Sequence, residues 1–343
     1  MAETTGRLAL VTGMTGYIGS HVGVNLLQNG YRVRGTLRSP SKGEALKNTL
    51  VEKSGVAPDH LELVEADLSS DSRWEAAMEG VEVLHHVASP FPLEEPEDPD
   101  EVIKPALEGT RRVILSAQKA GVQRIVVTAS VASIMYGHAK DHPQPFTEEH
   151  FTNPDAENIS TYVRSKTLAE REAWGLAEKH QLAMATIHPG LVLGPLVHGN
   201  PGTSVDILRQ MLQGKYPGCP RLHFPLVDVR DVAELHRLAG ESEAAVGQRF
   251  ACTQESLWIY EIAKILQQAF PDFAKKLPRR EFPDWLVRFL SLFDKSIRAV
   301  LPELGLKREV SSVKARDLLG WKPRGCSETV QATARSLMDE DLV

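Results

Sequence analysis

The stretch Val11-Thr12-Gly13-Met14-Thr15-Gly16-Tyr17-Ile18-Gly19-Ser20 decides the fold of this chain. It follows the short apolar run Leu8-Ala9-Leu10-Val11, which has the length of a strand. From Ile18 to Leu27 apolar residues recur at helical spacing, and this pattern stops at Asn29-Gly30. The segment therefore predicts a strand, a glycine loop and a helix, in that order.

The three glycines of this loop have distinct predicted roles. Gly13 allows a tight turn, Gly16 lets the backbone approach a phosphate, and Gly19 lets the helix pack closely against the strand. Free N–H groups at the start of the helix attract an anion. The spacing departs from the usual Gly-x-Gly-x-x-Gly, and a glycine turn without a ligand is the alternative. The predicted cofactor contacts in the loop are Gly13, Thr15, Gly16, Tyr17, Ile18 and Gly19.

The end of the second predicted strand, Tyr31 to Arg38, indicates which dinucleotide binds. No Asp or Glu occurs between Gly30 and Lys42. An NAD site normally places an acid there for the ribose 2′-hydroxyl, whereas a cation suits a 2′-phosphate. Arg38 and Lys42 therefore favour NADP, although both can also be solvated turn residues.

A third strand is predicted over Leu61 to Leu68. Ligands of open α/β sheets bind at the carboxyl ends of strands. Asp67 and Leu68 are therefore expected beside the adenine ring. Asp67 has a second interpretation, as the cap of the next helix.

A second motif, Tyr162 and Lys166, lies in the proline-free helical stretch from Thr161 to His180. Residues four apart project from one helix face. A phenol titrates near 10, and an ammonium within about 4–6 Å lowers that pKa. Ser130 ends the predicted strand that starts at Arg124. We expect Tyr162 to exchange a proton with a carbonyl oxygen, Lys166 to lower the tyrosine pKa and hold the nicotinamide ribose, and Ser130 to bind the substrate oxygen. An ordinary helix face is the alternative.

Strand and helix signals alternate along the chain, which predicts an α/β fold with a Rossmann-type doubly wound parallel sheet. At 343 residues the chain exceeds a typical domain. We expect an NADP-binding Rossmann domain over residues 1–188, joined again by 221–253. A smaller C-terminal substrate-binding lobe is expected from 189–220 and 254–343. The first of these segments is rich in Gly and Pro, and it is predicted to be mostly loop with one helix near Val205 to Gln213.

A series of motifs carries a family resemblance over nearly the whole chain. They are Thr12 to Ser20, Val33 to Arg38, His86 to Pro90, Val102 to Ala106, Gly109-Thr110, Thr128 to Ser130, Tyr162 to Glu170 and His188 to Pro195. In this order they resemble the extended short-chain dehydrogenases/reductases. Within that family the chain is similar to the dihydroflavonol reductase and cinnamoyl-CoA reductase group, and most to microbial NADPH-dependent aldehyde and ketone reductases.

The resemblance implies roles for individual residues. Ser130, Tyr162 and Lys166 would form a catalytic triad, and Arg38 would clamp the 2′-phosphate, with Lys42 matching the family's second phosphate-binding lysine approximately. Further cofactor contacts are expected from Val87, Ala88, Ser89, Pro189, Gly190, Leu191 and Val192. Ser89 would also contact substrate, and Phe91 either lines the substrate pocket or pads a loop.

Two departures narrow the substrate. Ser160-Thr161-Tyr162-Val163-Arg164 lacks the Asn-Trp-Tyr-Cys-Tyr signature of plant cinnamoyl-CoA reductases. Apolar Ile134-Met135 stands where plant dihydroflavonol reductases carry a substrate-selecting polar residue. These departures argue against a cinnamoyl-CoA and a dihydroflavonol substrate. The C-terminal stretches Trp285 to Arg288 and Leu319 to Pro323 are more similar to the microbial members, which act broadly on aldehydes and ketones.

Composition excludes several classes of function. The net charge of −6 and the lack of a sustained basic run argue against nucleic acid, and no apolar stretch approaches the length that spans a bilayer. Cys219, Cys252 and Cys326 lie far apart, as expected of reduced thiols in a cytoplasmic protein. His138 and His142 are four apart, but nearby prolines oppose a helix, so no metal site is expected. The expected partner is a small carbonyl substrate, with the chain a monomer or a homodimer.

The sequence thus predicts reversible, NADPH-dependent reduction of an aldehyde or ketone to an alcohol. One alternative is an NAD-dependent nucleotide-sugar epimerase or hydroxysteroid dehydrogenase of the same superfamily. A more distant alternative is a binding protein that senses NADP without turning it over.

Overall fold

A computed structural model of the chain describes residues 6–90, 96–139, 141–157, 159–199, 201–293, 297–298 and 300–343, without the side chain of Lys42. The strands are β1 (Leu8–Val11), β2 (Arg32–Leu37), β3 (Leu61–Glu65), β4 (Val83–His86), β5 (Arg124–Thr128), β6 (Met184–Pro189), β7 (Leu191–Leu193), β8 (His223–Asp228), β9 (Arg249–Cys252) and β10 (Glu255–Trp258). The α-helices are α1 (Tyr17–Gln28), α2 (Gly43–Ser54), α3 (Trp74–Met78), α4 (Asp100–Lys119), α5 (Thr161–His180), α6 (Thr203–Leu212), α7 (Val229–Glu241), α8 (Ile259–Ala269), α9 (Asp284–Leu290), α10 (Val313–Leu319) and α11 (Cys326–Asp339).

The main sheet has seven parallel strands in the order β3-β2-β1-β4-β5-β6-β9. Alternate residues of a strand face opposite sides of a sheet, and β5 shows this directly. Its Ile125 and Val127 pack with α3, α4 and α5, whereas Val126 packs with α7 on the other face. The predicted doubly wound α/β fold is confirmed.

The strand order reverses direction between β1 and β4, which are neighbours in the sheet. A crevice opens at the carboxyl ends of the strands on either side of such a switch point, and ligands bind there. The glycine loop follows β1, and Val87 follows β4. Ser130 stands two residues after β5, and Pro189 ends β6. The fold therefore brings these predicted site residues to one edge of the sheet.

A second, three-stranded sheet has the order β10-β8-β7. The loop predicted between 189 and 220 contains α6 near its expected place, but β7 was not predicted. This strand pairs with β8, which comes much later in the chain. A separate cluster of buried side chains from β7, α6, α8 and α11 packs against this sheet. The proposed boundaries between the Rossmann domain and the lobe stay a prediction.

None of the helices within the described ranges combines the length and the apolar character needed to cross a membrane.

Candidate active site

The glycine loop after β1 is too tightly packed for side chains at two of its positions. Gly13 has φ +72°, in the left-handed region, and a Cβ atom there would lie 3.0 Å from the Cβ of Ala88. A Cβ atom on Gly19 would lie 2.3 Å from the carbonyl oxygen of Gly13. Glycine is therefore needed at both positions for α1 to approach β1 and β4.

The start of α1 is open to an anion. Its N-cap, Gly16, has no side chain with which to cap the helix, and the first turn carries no acidic residue. The uncapped N–H groups of a first turn carry partial positive charge and attract phosphate. Tyr17 offers only its backbone here because its hydroxyl donates to Gly194 O at 2.8 Å, and the side chain of Ile18 packs partly against the core. Thr15 is half-buried within the loop. The cradle thus fits a pyrophosphate.

Thr12 ties the ends of β1 and β4 together. Its buried Oγ1 accepts hydrogen bonds from Val87 N and Ala88 N, both at 2.9 Å, and lies 3.0 Å from His86 Nδ1. A hydroxyl that accepts twice gives its own proton to the third neighbour. We therefore assign the neutral His86 proton to Nε2. Sequence reasoning missed Thr12, although the residue immediately precedes Gly13. Ser89, farther along this segment, is half-buried, and its hydroxyl donates a long 3.4 Å bond to Pro90 O.

The ends of β2 and β3 lie at the expected adenosine side of the crevice. Arg38 is exposed directly after β2. Asp67 Oδ1 accepts from Ser69 N and Oγ, both at 2.8 Å. Asp67 therefore closes a local turn, and the N-cap of the next helix, α3, is Arg73 instead. The two bonds from Ser69 have the largest effect and lower the pKa of Asp67. Burial opposes them, and the charge of Arg38 adds a smaller lowering effect. Leu68 packs over α4, and its carbonyl oxygen accepts from Arg112. Arg38 and Asp67 are thus close enough to interact electrostatically.

The catalytic residues predicted from the sequence come together beside the end of β5. Ser130 begins a short 3-10 turn, where its Oγ accepts from Ala132 N at 3.1 Å. The side chain of Ser130 is hydrogen-bonded to Tyr162, in the first turn of α5. Lys166 follows one turn later on the same face of α5 and is only 8 % exposed. Helix α5 starts here because the Ser160 hydroxyl caps it by accepting from Val163 N.

Burial dominates the electrostatics of this cluster. Burial raises the pKa of Tyr162, and the hydrogen bond with Ser130 only partly opposes it. Lys166 is not among the groups that shift the pKa of Tyr162 in this state, so the expected lowering of that pKa by Lys166 stays a prediction. Burial lowers the pKa of Lys166 itself to about 8. Within the described residues its ammonium has no ion pair, and its charge adds to burial in lowering the pKa of His86 to about 3. Tyr162 consequently keeps its proton at neutral pH.

The segment after β6 passes very close to β8. A Cβ atom on Gly190 would lie 2.2 Å from the carbonyl oxygen of Pro225, so only glycine fits. Gly190 N also donates to Cys252 O at 3.3 Å, on β9. Leu191 and Val192, half-buried and buried respectively, then enter β7. Pro189 to Val192 therefore form a rigid wall beside the end of β6.

The structure gives little information on Phe91, Lys42 and the pair His138 and His142. Phe91 and the side chain of Lys42 lie outside the described residues. The rings of His138 and His142 are 4.7 Å apart between centroids. In the part of the chain that the structure describes, no group of three or more His, Cys, Asp and Glu side chains is arranged to hold a metal ion.

Comparison with known proteins gives the family. Residues 9–252 match the model of the NAD dependent epimerase/dehydratase family. A cinnamoyl-CoA reductase of Medicago truncatula is 34 % identical over 284 residues, covering 81 % of this chain and 85 % of the relative. The ketoreductase azaE of Aspergillus niger is 32 % identical over 353 residues, covering 97 % of this chain and 98 % of the relative.

Solved structures agree with these relatives. Gre2 from Candida albicans, solved in complex with NADPH, superposes with a TM-score of 0.80 at 26 % identity, covering 97 % of this chain and 99 % of that one. Yeast Gre2, a methylglyoxal/isovaleraldehyde reductase also solved with NADPH, has a TM-score of 0.79 at 24 % identity, which shows the shared fold. The predicted family and enzyme class are confirmed: the chain is an oxidoreductase and belongs to the NAD dependent epimerase/dehydratase family, the extended short-chain dehydrogenases/reductases.

Proposed function

We propose that this protein reduces an aldehyde or ketone to an alcohol with NADPH, and that Tyr162 gives the proton. The observation that carries the proposal is the hydrogen bond between Ser130 and Tyr162 at the ligand-binding edge of the sheet, with buried Lys166 one helical turn away.

The residues around the crevice fit a phosphorylated dinucleotide. The cradle of Gly13, Gly16 and Gly19 would hold the pyrophosphate, and Arg38 would pair with the 2′-phosphate. The crystal structures of two Gre2 reductases with NADPH support this choice. When bound there, NADPH supplies the hydride that reduces the carbonyl carbon.

The chain's own groups act on the carbonyl oxygen. Ser130 Oγ accepts from Ala132 N. Its O–H is hydrogen-bonded to Tyr162 in this state, and it would turn to donate to the substrate oxygen when substrate binds. Because the pKa of Tyr162 is raised, the phenol is still protonated at neutral pH and can give its proton to the same oxygen. The Lys166 ammonium then stabilises the phenolate that remains. Tyr162 thus begins as the acid of the reduction and, by microscopic reversibility, would be the base of the reverse oxidation.

Arg38 weighs against the nearer alternative. An NAD-dependent epimerase or hydroxysteroid dehydrogenase would be expected to have an acid near the end of β2, where this chain has an exposed cation. A pure NADP sensor would not need Ser130 hydrogen-bonded to Tyr162 next to a buried ammonium that has no ion pair within the described residues. Both remain distinguishable by turnover.

The test is consumption of NADPH, followed by its absorbance at 340 nm, with aromatic aldehydes, diketones, ketoesters and a dihydroflavonol. We expect turnover with at least one of them and a higher kcat/KM with NADPH than with NADH. Tyr162→Phe should lower kcat about 10²–10⁴-fold, the usual contribution of a general acid. Tyr260→Phe is the control, because the half-buried Tyr260 on α8 donates its hydroxyl to Arg279 O and, in the described part of the chain, bonds to none of the three predicted catalytic residues.

Two results would contradict the proposal. NADPH that binds but is never consumed with any carbonyl compound indicates a sensor. Full turnover by Tyr162→Phe removes Tyr162 from the proton transfer.

A further inference from the structure

One buried carboxylate, that of Glu170, lies one turn beyond Lys166 on α5 and is 3 % exposed. Its Oε1 accepts from His188 Nε2 at 2.8 Å and from Arg249 Nε at 2.7 Å. Its Oε2 accepts from Arg249 Nη2 at 3.1 Å. The guanidinium therefore grips the carboxylate with two donors, a geometry that fixes orientation as well as distance.

Arg249, on β9, extends this contact to the turn that carries Ser130. Its Nη1 donates to the backbone oxygens of Glu148 at 2.5 Å and His150 at 2.8 Å. Its Nη2 donates to the backbone oxygen of Ser133 at 3.3 Å. Ser133 ends the 3-10 turn whose first cap is Ser130. One buried guanidinium thus connects the helix of Tyr162 to the turn of Ser130.

His188 extends the contact to the segment from Pro189 to Val192, beside the end of β6. It is fully buried on β6, immediately before Pro189. Its Nδ1 lies 3.2 Å from Phe250 O on β9, so the ring is held from both sides. Glu170 consequently links helix α5, the Ser130 turn and the strand that leads into Pro189 to Val192.

The carboxylate of Glu170 stays ionised although it is buried. Burial alone would raise its pKa, but His188 and Arg249 outweigh burial and lower the pKa far below its usual range. Buried ion pairs are expensive to desolvate, and apolar side chains of similar size often stabilise a protein equally well. Packing α5 on the sheet therefore does not by itself require this group of charges.

We propose that Glu170, through Arg249 and His188, is a positioning residue that sets the placement of Ser130 relative to Tyr162 and Lys166; this rests on the function proposed above. The carboxylate does not touch the reacting atoms. It acts by holding the three segments that do.

The variant Glu170→Gln tests the proposal, with His188→Asn as a milder change. We expect Glu170→Gln to lower kcat about 10²-fold, the loss expected from a misplacement of about 1 Å at a reacting centre. The Kd for NADPH, measured by fluorescence, should change little, because the glycine cradle and Arg38 lie on other elements. His188→Asn should give a smaller loss of kcat. With NADPH deuterated at the transferred position, both variants should show a larger isotope effect than the parent.

Asp231→Asn is the matched control. Asp231 is a buried carboxylate on α7 that accepts from Arg324, with no bond to the three segments of the site. We expect it to lower stability while kcat per folded molecule stays at the parent value.

The double variant Glu170→Gln with Arg249→Met separates geometry from charge. It removes the guanidinium charge that Glu170→Gln leaves without its carboxylate, together with the bonds to the backbone oxygens of Glu148, His150 and Ser133. It should not restore kcat. Recovery of kcat would show that the network serves stability only.

Other results would also overturn the proposal. The first is that folded Glu170→Gln keeps the kcat of the parent; if Glu170→Gln does not fold, the same result in His188→Asn counts. The second is that Asp231→Asn loses as much kcat as Glu170→Gln. Failure of the proposed function looks different, because the parent enzyme would then consume no NADPH or Tyr162→Phe would retain turnover.

Discussion

Replacing Thr12 by Val removes one hydroxyl from the junction of β1 and β4 without changing the size of the side chain. The methyl group that takes its place can neither accept from Val87 N and Ala88 N nor donate to His86 Nδ1. Since Thr12 is fully buried, water does not directly replace the hydroxyl as the partner of these groups. The variant therefore isolates the three hydrogen bonds from packing.

The size of the effect follows from the number of groups left without a partner. An unsatisfied donor or acceptor costs about 1–3 kcal/mol when buried. The two N–H groups are only partly buried, so the lower half of that range applies to each. With about 1–3 kcal/mol more for the buried His86, we expect a loss of about 3–7 kcal/mol in the free energy of unfolding. That is a large part of the 5–15 kcal/mol typical of native proteins.

Urea unfolding followed by circular dichroism measures this loss. NADPH binding should weaken at the same time, because Val87 and Ala88 would no longer be held across the crevice from Gly13. Thr12→Ser keeps the hydroxyl and should remain within about 1 kcal/mol of the parent protein. A Thr12→Val protein as stable as Thr12→Ser would refute the reasoning and show that the hydroxyl is dispensable.

Three further predictions concern the cofactor side and the proton. In a pH–rate profile, kcat/KM for reduction should fall as the pH rises through about 8, where Lys166 loses its charge. Lys166→Arg should move this fall to higher pH. If the fall does not move, another group is responsible for it. Arg38→Asp should lower kcat/KM with NADPH about 10- to 100-fold, which corresponds to one charge-assisted hydrogen bond, and should raise kcat/KM with NADH. An unchanged ratio of kcat/KM for the two coenzymes would show that Arg38 does not bind the 2′-phosphate. Gly19→Ala should lower Tm and abolish NADPH binding in a fluorescence titration, since its Cβ would meet Gly13 O at 2.3 Å. Its control is Gly175→Ala, which has nothing within 4 Å and should be slightly stabilising; equal behaviour of the two alanine variants would contradict the steric argument.

Much of the fold could be predicted because the deciding signals are local. The glycine loop marks the junction of β1 and α1, and apolar runs mark β4 and β5 within a residue or two. Strands β7 to β10 were not predicted, and β7 is only three residues long. It forms because β8, far along the chain, supplies its hydrogen bonds, and no pattern within Leu191 to Leu193 contains that information.

The candidate site divides in the same way. Ser130, Tyr162 and Lys166 could be found because they stand at strand ends or at helical spacing. Glu170 and Arg249 are 79 residues apart, so only the folded chain shows that they bond. The raised pKa of Tyr162 also escaped prediction, because it depends on how deeply tertiary packing buries the phenol.

The two sheets interleave along the chain. Strands β7 and β8 belong to the small sheet, yet β9 returns to the main one, and α11 finally supplies the hydroxyls of Thr333 and Ser336 that accept from Gly194 N and Leu196 N. An engineer who wishes to transplant the proposed substrate lobe from a relative must therefore exchange several separate pieces of sequence at once. A truncated chain that ends before Cys326 would keep every strand of the main sheet. It would nevertheless expose to water the apolar side chains that pack against the smaller sheet.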